Sequence, residues 1–314
     1  MYHYVRDLAL SRYPKINGLD LHLFRKQIKF LKKHFRLITT DQLLEAYFGN
    51  NELPDSSALL TFDDGYIDHY TNVFPILKEE DIQGFFSMPA KPLVERKLLD
   101  VNKIHFVIAN APTEKLLLKI FELLNYYRGK EHNIPSNEEL YQKLAKKSRF
   151  DSAEIIFIKR LLQAELNEQL RNQIVTDLFS EYLPVPEEVF AAELYINLDQ
   201  VRLMRKEGMC FGIHGYEHYW MNGLSQKDLE ADINSALEVF DGIVDRNNWI
   251  CCYPYGSYND DVIHLIRKKG AVIGLTTDVN IAILDYHDRY KLPRLDTNDF
   301  PPKSFRYKDF LVIK

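Results

Sequence analysis

Apolar residues along this 314-residue chain follow two alternating patterns. Short runs with apolar residues at consecutive positions predict strands covered on both faces, at 1–5, 58–62, 84–88, 210–214, 250–255, 272–277 and 290–295. Between them, apolar residues recur at three-and-four spacing. The stretch 20–35 starts at an N-cap, Asp20, and lines up Leu21, Phe24, Ile28, Leu31 and Phe35. The stretch 225–240 opens with Ser225 as N-cap and Asp228 three residues on, then stacks Leu229, Ile233, Leu237 and Phe240. A third helix, 260–269, carries Val262, Ile263 and Ile266 and ends before Gly270, a natural C′ residue. Strand–helix alternation predicts an α/β fold, and seven strands favour a distorted (β/α)7-type barrel over an open parallel sheet.

The middle of the chain breaks this rhythm. From 99 to 197 there is almost no strand signal, and helix-start patterns recur at Thr113 before Glu114, Ser136 with Glu139, and Asp151 with Glu154. Leu116, Ile120, Leu123 and Leu124 form one apolar stripe; Ile155, Ile158, Leu161, Leu162 and Leu166 form another. The expectation is a single domain, 1–314, with a helical insertion at 99–197 between two core strands. Pro184 and Pro186 mark its exit. Such an insertion offers a surface through which a homo-oligomer could form.

Composition narrows the function classes. Forty Lys and Arg stand against 45 Asp and Glu, a net charge of −5, which gives no electrostatic reason to expect nucleic acid or an anionic membrane as partner. No apolar run approaches the roughly 20 residues of a membrane span. The start MYHYVRD has no basic-then-apolar leader, and three cysteines (Cys210, Cys251, Cys252) lack metal-knuckle spacing, so a reducing cytoplasm is expected.

Three motifs that could carry chemistry each follow a predicted strand. Thr61-Phe62-Asp63-Asp64-Gly65 places two carboxylates where a parallel strand ends, and a turn at Gly65 can swing both to one mouth. By itself it is equally a solvated turn. His214-Gly215-Tyr216-Glu217-His218 sets two imidazoles four residues apart, a spacing that suits one metal ion and also occurs in plain histidine pairs. Cys252-Tyr253-Pro254-Tyr255-Gly256 exposes backbone N–H groups and a ring at a strand end, as an ordinary strand-to-loop turn also does.

Taken in order, the three motifs resemble those of the polysaccharide deacetylase superfamily (NodB homology domain, carbohydrate esterase family four). T-F-D-D-G is matched in full by Thr61–Gly65. H-[S/T]-x-x-H is matched at His214 and His218, with Gly215 in place of Ser/Thr. R-x-P-Y is matched at Pro254 and Tyr255, with Cys252 in place of Arg, and Y-P-Y-G is similar to a subgroup in which that Arg is often absent. The resemblance covers about 1–88 and 195–296 and leaves the helical middle unexplained. It implies a hydrolase that removes N-acetyl groups from a carbohydrate by metal-activated water. Asp64, His214 and His218 would be the ligands of a divalent metal, Zn²⁺ or else Co²⁺ or Ni²⁺. Asp63 would be the general base and the Tyr255 N–H an oxyanion donor. The family's late L-x-H motif has no histidine here: Leu292-Pro293-Arg294 stands in that region. His287 could reach in from a loop as the acid, or a water or Asp63 itself after taking a proton could serve. Arg294 could orient Asp63 in place of the missing Arg, or equally form a surface ion pair. His3 lies in the first strand, lining the site or packed in the core. His22, His34, His69, His105, His132 and His264 belong to no motif and read as structural. Two alternatives stay open at this stage: a carbohydrate-binding relative that has lost catalysis, and a deformylase or amidase acting on another amide.

Overall fold

The structure, a computed structural model, describes residues 1–49, 51–130, 133–148, 151–284 and 287–311. Five parallel strands form its central sheet in the order of the chain: β1 (Leu60–Asp63), β2 (Gly84–Met88), β3 (Cys210–Ile213), β4 (Trp249–Cys252) and β5 (Ala271–Leu275). All are short, and apart from Cys210 and Val272 their residues are buried. That accounts for their unbroken apolar runs, since strands covered on both faces have no polar side to alternate with.

The two outer segments predicted as strands adopt less regular pairings that nevertheless complete the ring. Tyr2 bridges Phe62 on the free edge of β1, and Leu292 bridges Leu275 on the free edge of β5. The Met1 nitrogen donates to the Leu295 carbonyl at 2.9 Å and Thr297 N–H donates to the Met1 carbonyl. The two edges thereby meet, and the seven segments close as a distorted (β/α)7-type barrel. Regular ladders to the central sheet are missing at 1–5 and 290–295 because a single residue on each side comes into register, and Val5–Arg6 pairs instead with Leu19–Asp20.

Alternation along each strand divides the apolar residues into two layers. Phe62, Phe86, Phe211 and Cys251 face the surrounding helices, where Phe24, Ile28 and Leu31 of the helix Leu21–His34 are buried. Tyr2, Phe62, Phe86 and Phe211 stack side by side across neighbouring strands at centroid distances of 4.9–5.7 Å. Phe85, Ile250, Cys252, Ile273, Leu275 and Leu292 form the second cluster, inside the barrel. Adjacent Cys251 and Cys252 therefore lie in different layers, and all three cysteines are free thiols.

Helix boundaries follow local chemistry. Asp20, Ser136 and Ser225 cap their helices as expected. Two caps differ from expectation by one residue, Pro112 rather than Thr113 and Ser152 rather than Asp151, and Asn259 caps the helix Asp260–Lys268. Ser152 and Asn259 present side-chain oxygens to the N–H groups of Ile155 and Val262, which their neighbours do not.

Two compact units are present. One comprises 1–8, 18–97 and 191–314 and contains the barrel; the other comprises 9–17 and 98–190 and is helical. In the second, the apolar faces of Asp100–Asn110, Thr113–Arg128, Ala153–Arg160 and Glu168–Tyr182 are buried, with Leu116, Ile120, Leu124, Phe157 and Ile174 fully so. Tyr13, Phe106, Phe179 and Phe190 form an aromatic cluster there. The segment 9–17 belongs to this unit although nothing in its pattern announces it. Among the described residues no helix is long and apolar enough to cross a membrane.

Candidate metal centre

Each motif begins where its strand ends. Asp63 is the last residue of β1, and Asp64 N–H still donates to the Ser87 carbonyl of β2 before the chain turns away. Asp64 adopts φ 77° and Gly65 φ 66°. Gly215 and His218 (φ 71° and 61°) break the extension of β3, and Tyr255 and Gly256 (φ 59° and 68°) that of β4. Left-handed backbone is unfavourable by roughly 1–2 kcal/mol for residues with a Cβ. Among the described residues only six non-glycines adopt it, and Asp64, His218 and Tyr255 are three of them. The strain is concentrated where side chains must converge.

The Asp64 carboxylate meets both histidines. Its Oδ1 lies 3.4 Å from His214 Nε2 and 3.3 Å from His218 Nε2, with all three residues buried. Good N–H···O hydrogen bonds are shorter, about 2.7–3.2 Å. Oδ1 is buried without a hydrogen-bond partner. Four donors held tetrahedrally at about 2.05 Å from an ion stand roughly 3.3 Å apart. The donor set therefore fits a single divalent ion: one hard oxygen, two imidazole nitrogens and an orphaned buried oxygen at the right spacing.

Neighbouring groups aim these donors. Tyr66 O–H donates to Asp64 Oδ2 at 2.6 Å, which leaves Oδ1 to face the histidines. The Cys252 carbonyl lies 2.6 Å from His214 Nδ1. A carbonyl can only accept, so Nδ1 carries a proton and Nε2 is the nitrogen that faces Asp64, the usual arrangement behind a metal-binding imidazole. Burial disfavours the ionised form of Asp64, but the two histidines outweigh it and hold the carboxyl well below the usual range. Burial prevails at His218 and lowers its basicity; at His214 it is outweighed by Cys252 and Asp64, and the basicity rises.

Asp63 has a different environment. It points into the barrel, where Arg294 Nη1 and Nη2 donate to its two oxygens at 3.0 and 2.8 Å and Ser87 Oγ donates to Oδ1 at 2.6 Å. Arg294 is itself fixed by the Thr276 carbonyl and Thr61 Oγ1. Cys252 Sγ lies 3.5 Å from Asp63 Oδ1. Burial opposes ionisation of Asp63, but the Arg294 charge outweighs it, and the carboxyl falls well below its ordinary value. A second group of possible ligands, Asp63, His214 and Cys252, shares the His214 ring. Its carboxylate already pairs with Arg294 and its Nδ1 faces a carbonyl, so the Asp64 trio is the better ion site.

The half-buried Tyr255 ring packs edge-on to His218 (4.7 Å) and stacks on Trp220 (4.8 Å, 7° between planes). His3 lies close enough for its charge to act on Asp63, Asp64 and His218. His287 is held instead in a turn by the backbone of Ile283, and His132 lies outside the described residues. Sequence reasoning gave Tyr66 no role and missed Ser87, Trp220 and Asp232. Ser87 had a recoverable signal, because it falls opposite Asp63 in the β1–β2 register. So did Asp232, an acid next to Ile233 on the buried stripe of a helix.

The barrel is that of the NodB-type deacetylases. The polysaccharide deacetylase family model matches residues 176–274, which include the paired histidines and Tyr255 but not the aspartates. Over those residues the chain is similar to the polysaccharide deacetylases. It is 25% identical over 91 residues (29% of this chain) to the putative polysaccharide deacetylase YxkH of Bacillus subtilis (strain 168). It is 35% identical over 78 residues (24% of this chain) to the poly-β-1,6-N-acetyl-D-glucosamine N-deacetylase of Escherichia coli (strain K12). The matched stretches span 33% and 11% of those two proteins. The structure of Streptococcus pyogenes deacetylase PplD in complex with acetate is similar over 98% of this chain and 94% of that one, with TM-score 0.58 and 15% identity.

Proposed function

We propose that this protein is a divalent-metal-dependent hydrolase that removes N-acetyl groups from a carbohydrate. The observation that supports it most is the buried Asp64 Oδ1, flanked at ligand spacing by His214 Nε2 and His218 Nε2. A divalent ion on Asp64, His214 and His218 would polarise the acyl carbonyl and lower the pKa of water from 15.7 towards about 7; imidazole and carboxylate suit Zn²⁺, with Co²⁺ and Ni²⁺ close behind.

The protein's own groups supply the rest. Asp63, ionised and aimed by Arg294 and Ser87, takes the proton of the attacking water. The Tyr255 N–H donates to the oxyanion that develops on the acyl oxygen, a contribution of about 3–4 kcal/mol where such donors have been removed. The departing sugar amine needs a proton, and Asp63, having taken one from the water, can return it. The stacked Trp220 and Tyr255 rings give a sugar face an apolar surface beside the histidines.

The test is acetate release by the zinc-loaded protein from β-1,6- and β-1,4-linked N-acetylglucosamine oligomers and from nucleotide-linked N-acetyl sugars. Asp63→Asn is expected to keep its zinc and to lose activity by about 10²–10⁴-fold. Zinc-loaded wild type that releases no acetate from any of these substrates would overturn the reading in favour of a binding protein.

A further inference from the structure

The turn that carries both histidines is tied down by backbone hydrogen bonds from two sides. Its carbonyls are taken by the segment after β2: Ala90 N–H donates to Gly215 and Lys91 N–H to Tyr216, both at 3.1 Å. Its N–H groups turn the other way, towards the helix Gln226–Val239. Tyr216 N–H donates to Asp232 Oδ2 at 3.0 Å and Glu217 N–H to Asp232 Oδ1 at 2.9 Å, so one carboxylate spans two successive amides. Asp232 is buried, as are Leu229 and Ile233 on the same helix. The Lys91–Glu217 ion pair at 2.6 Å closes the rim.

Gly215 belongs to the same arrangement. A Cβ built on it would lie 2.8 Å from Asp232 Oδ2, in a left-handed conformation with φ 71°. The carboxylate thus occupies the space a side chain at 215 would take. This links the departure of Gly215 from the H-[S/T]-x-x-H pattern to a second residue: with no hydroxyl on the turn itself, the neighbouring helix supplies the acceptor.

We propose that Asp232 is a positioning residue for the His214–His218 turn, setting the spacing of the two imidazoles through the amides of Tyr216 and Glu217. It touches neither ion nor substrate. The proposal rests on the metal-site reading above, and the test separates the two.

The experiment measures Zn²⁺ affinity by calorimetry on the full-length apo protein for wild type, Asp232→Ala, Asp232→Asn and Leu237→Ala. Amide exchange over 214–218 is followed in the same apo samples. Outer partners of metal ligands typically change affinity by about 10–100-fold. Asp232→Ala is expected to bind Zn²⁺ that much more weakly and to exchange Tyr216 and Glu217 amides faster. Asp232→Asn keeps one acceptor and is expected to fall between. Leu237→Ala trims an apolar contact on the same helix and is expected to lower stability with wild-type affinity. Equal affinity of Asp232→Ala and wild type, or a loss no larger than that of Leu237→Ala, overturns the proposal. A wild type that binds no Zn²⁺ overturns the metal reading instead, and unchanged exchange in Asp232→Ala then removes the positioning role as well.

Discussion

Arg294 and Asp63 face each other inside the barrel, both buried and bidentate. Removing one member of such a pair leaves an uncompensated charge in a dry interior, at a cost of about 3–5 kcal/mol. Arg294→Met is therefore expected to lower unfolding free energy by that amount, measured by urea denaturation, and to abolish acetate release. Arg294→Lys keeps the charge but loses the planar fork, and is expected to recover part of the stability and little of the activity. Stability unchanged in Arg294→Met would show that the pair does not hold the carboxylate. At this scale the sequence was informative where residue type alone decides, as with the aspartates and the histidine pair. It was weaker where the partner comes from a distant strand. Arg294 is 231 residues from Asp63, and only the barrel's closure brings them into contact.

Loops, not strands, carry the strain of the site. Gly256 shows why a glycine must follow Tyr255: its φ is 68°, and a Cβ there would run into Thr277 Oγ1. Gly256→Ala is expected to destabilise the protein by about 1–3 kcal/mol and to reduce acetate release by displacing the Tyr255 N–H. Paired with Thr277→Ala, it should regain part of the loss. A neutral Gly256→Ala would mean the loop can shift freely. The helices were legible from their apolar stripes, since each buries one face in the core of its own unit. Caps were less so, because whether Ser152 or Asp151 accepts the first free N–H depends on a backbone angle that composition does not reveal. Asp232 went unread for a related reason: its partners are amides, which leave no trace in the side-chain pattern.

The whole molecule carries a pH dependence of its own. His69 is buried among Phe62, Tyr66 and Phe86, with Nε2 at 2.9 Å from the His3 carbonyl. Burial lowers its pKa to about 4, against about 6.5 in an unfolded chain. Between those values the unfolded state binds the extra proton, so stability is flat above pH 6.5 and falls as the pH drops towards 4, by about 3 kcal/mol in total. Denaturation curves at pH 7, 5 and 4 check this, with His69→Phe expected to show a shallower fall. An equal slope in the variant would assign the acid sensitivity elsewhere. The barrel was legible from seven runs of consecutive apolar residues. That the segment 9–17 joins the helical unit was not, since it has no apolar pattern and packs there through Tyr13. The account as a whole turns on one ion. Crystals of the zinc-loaded protein measured at the zinc absorption edge are expected to show an anomalous peak about 2.0–2.2 Å from Asp64 Oδ1, His214 Nε2 and His218 Nε2. Fully loaded crystals with no peak among those three atoms would contradict it.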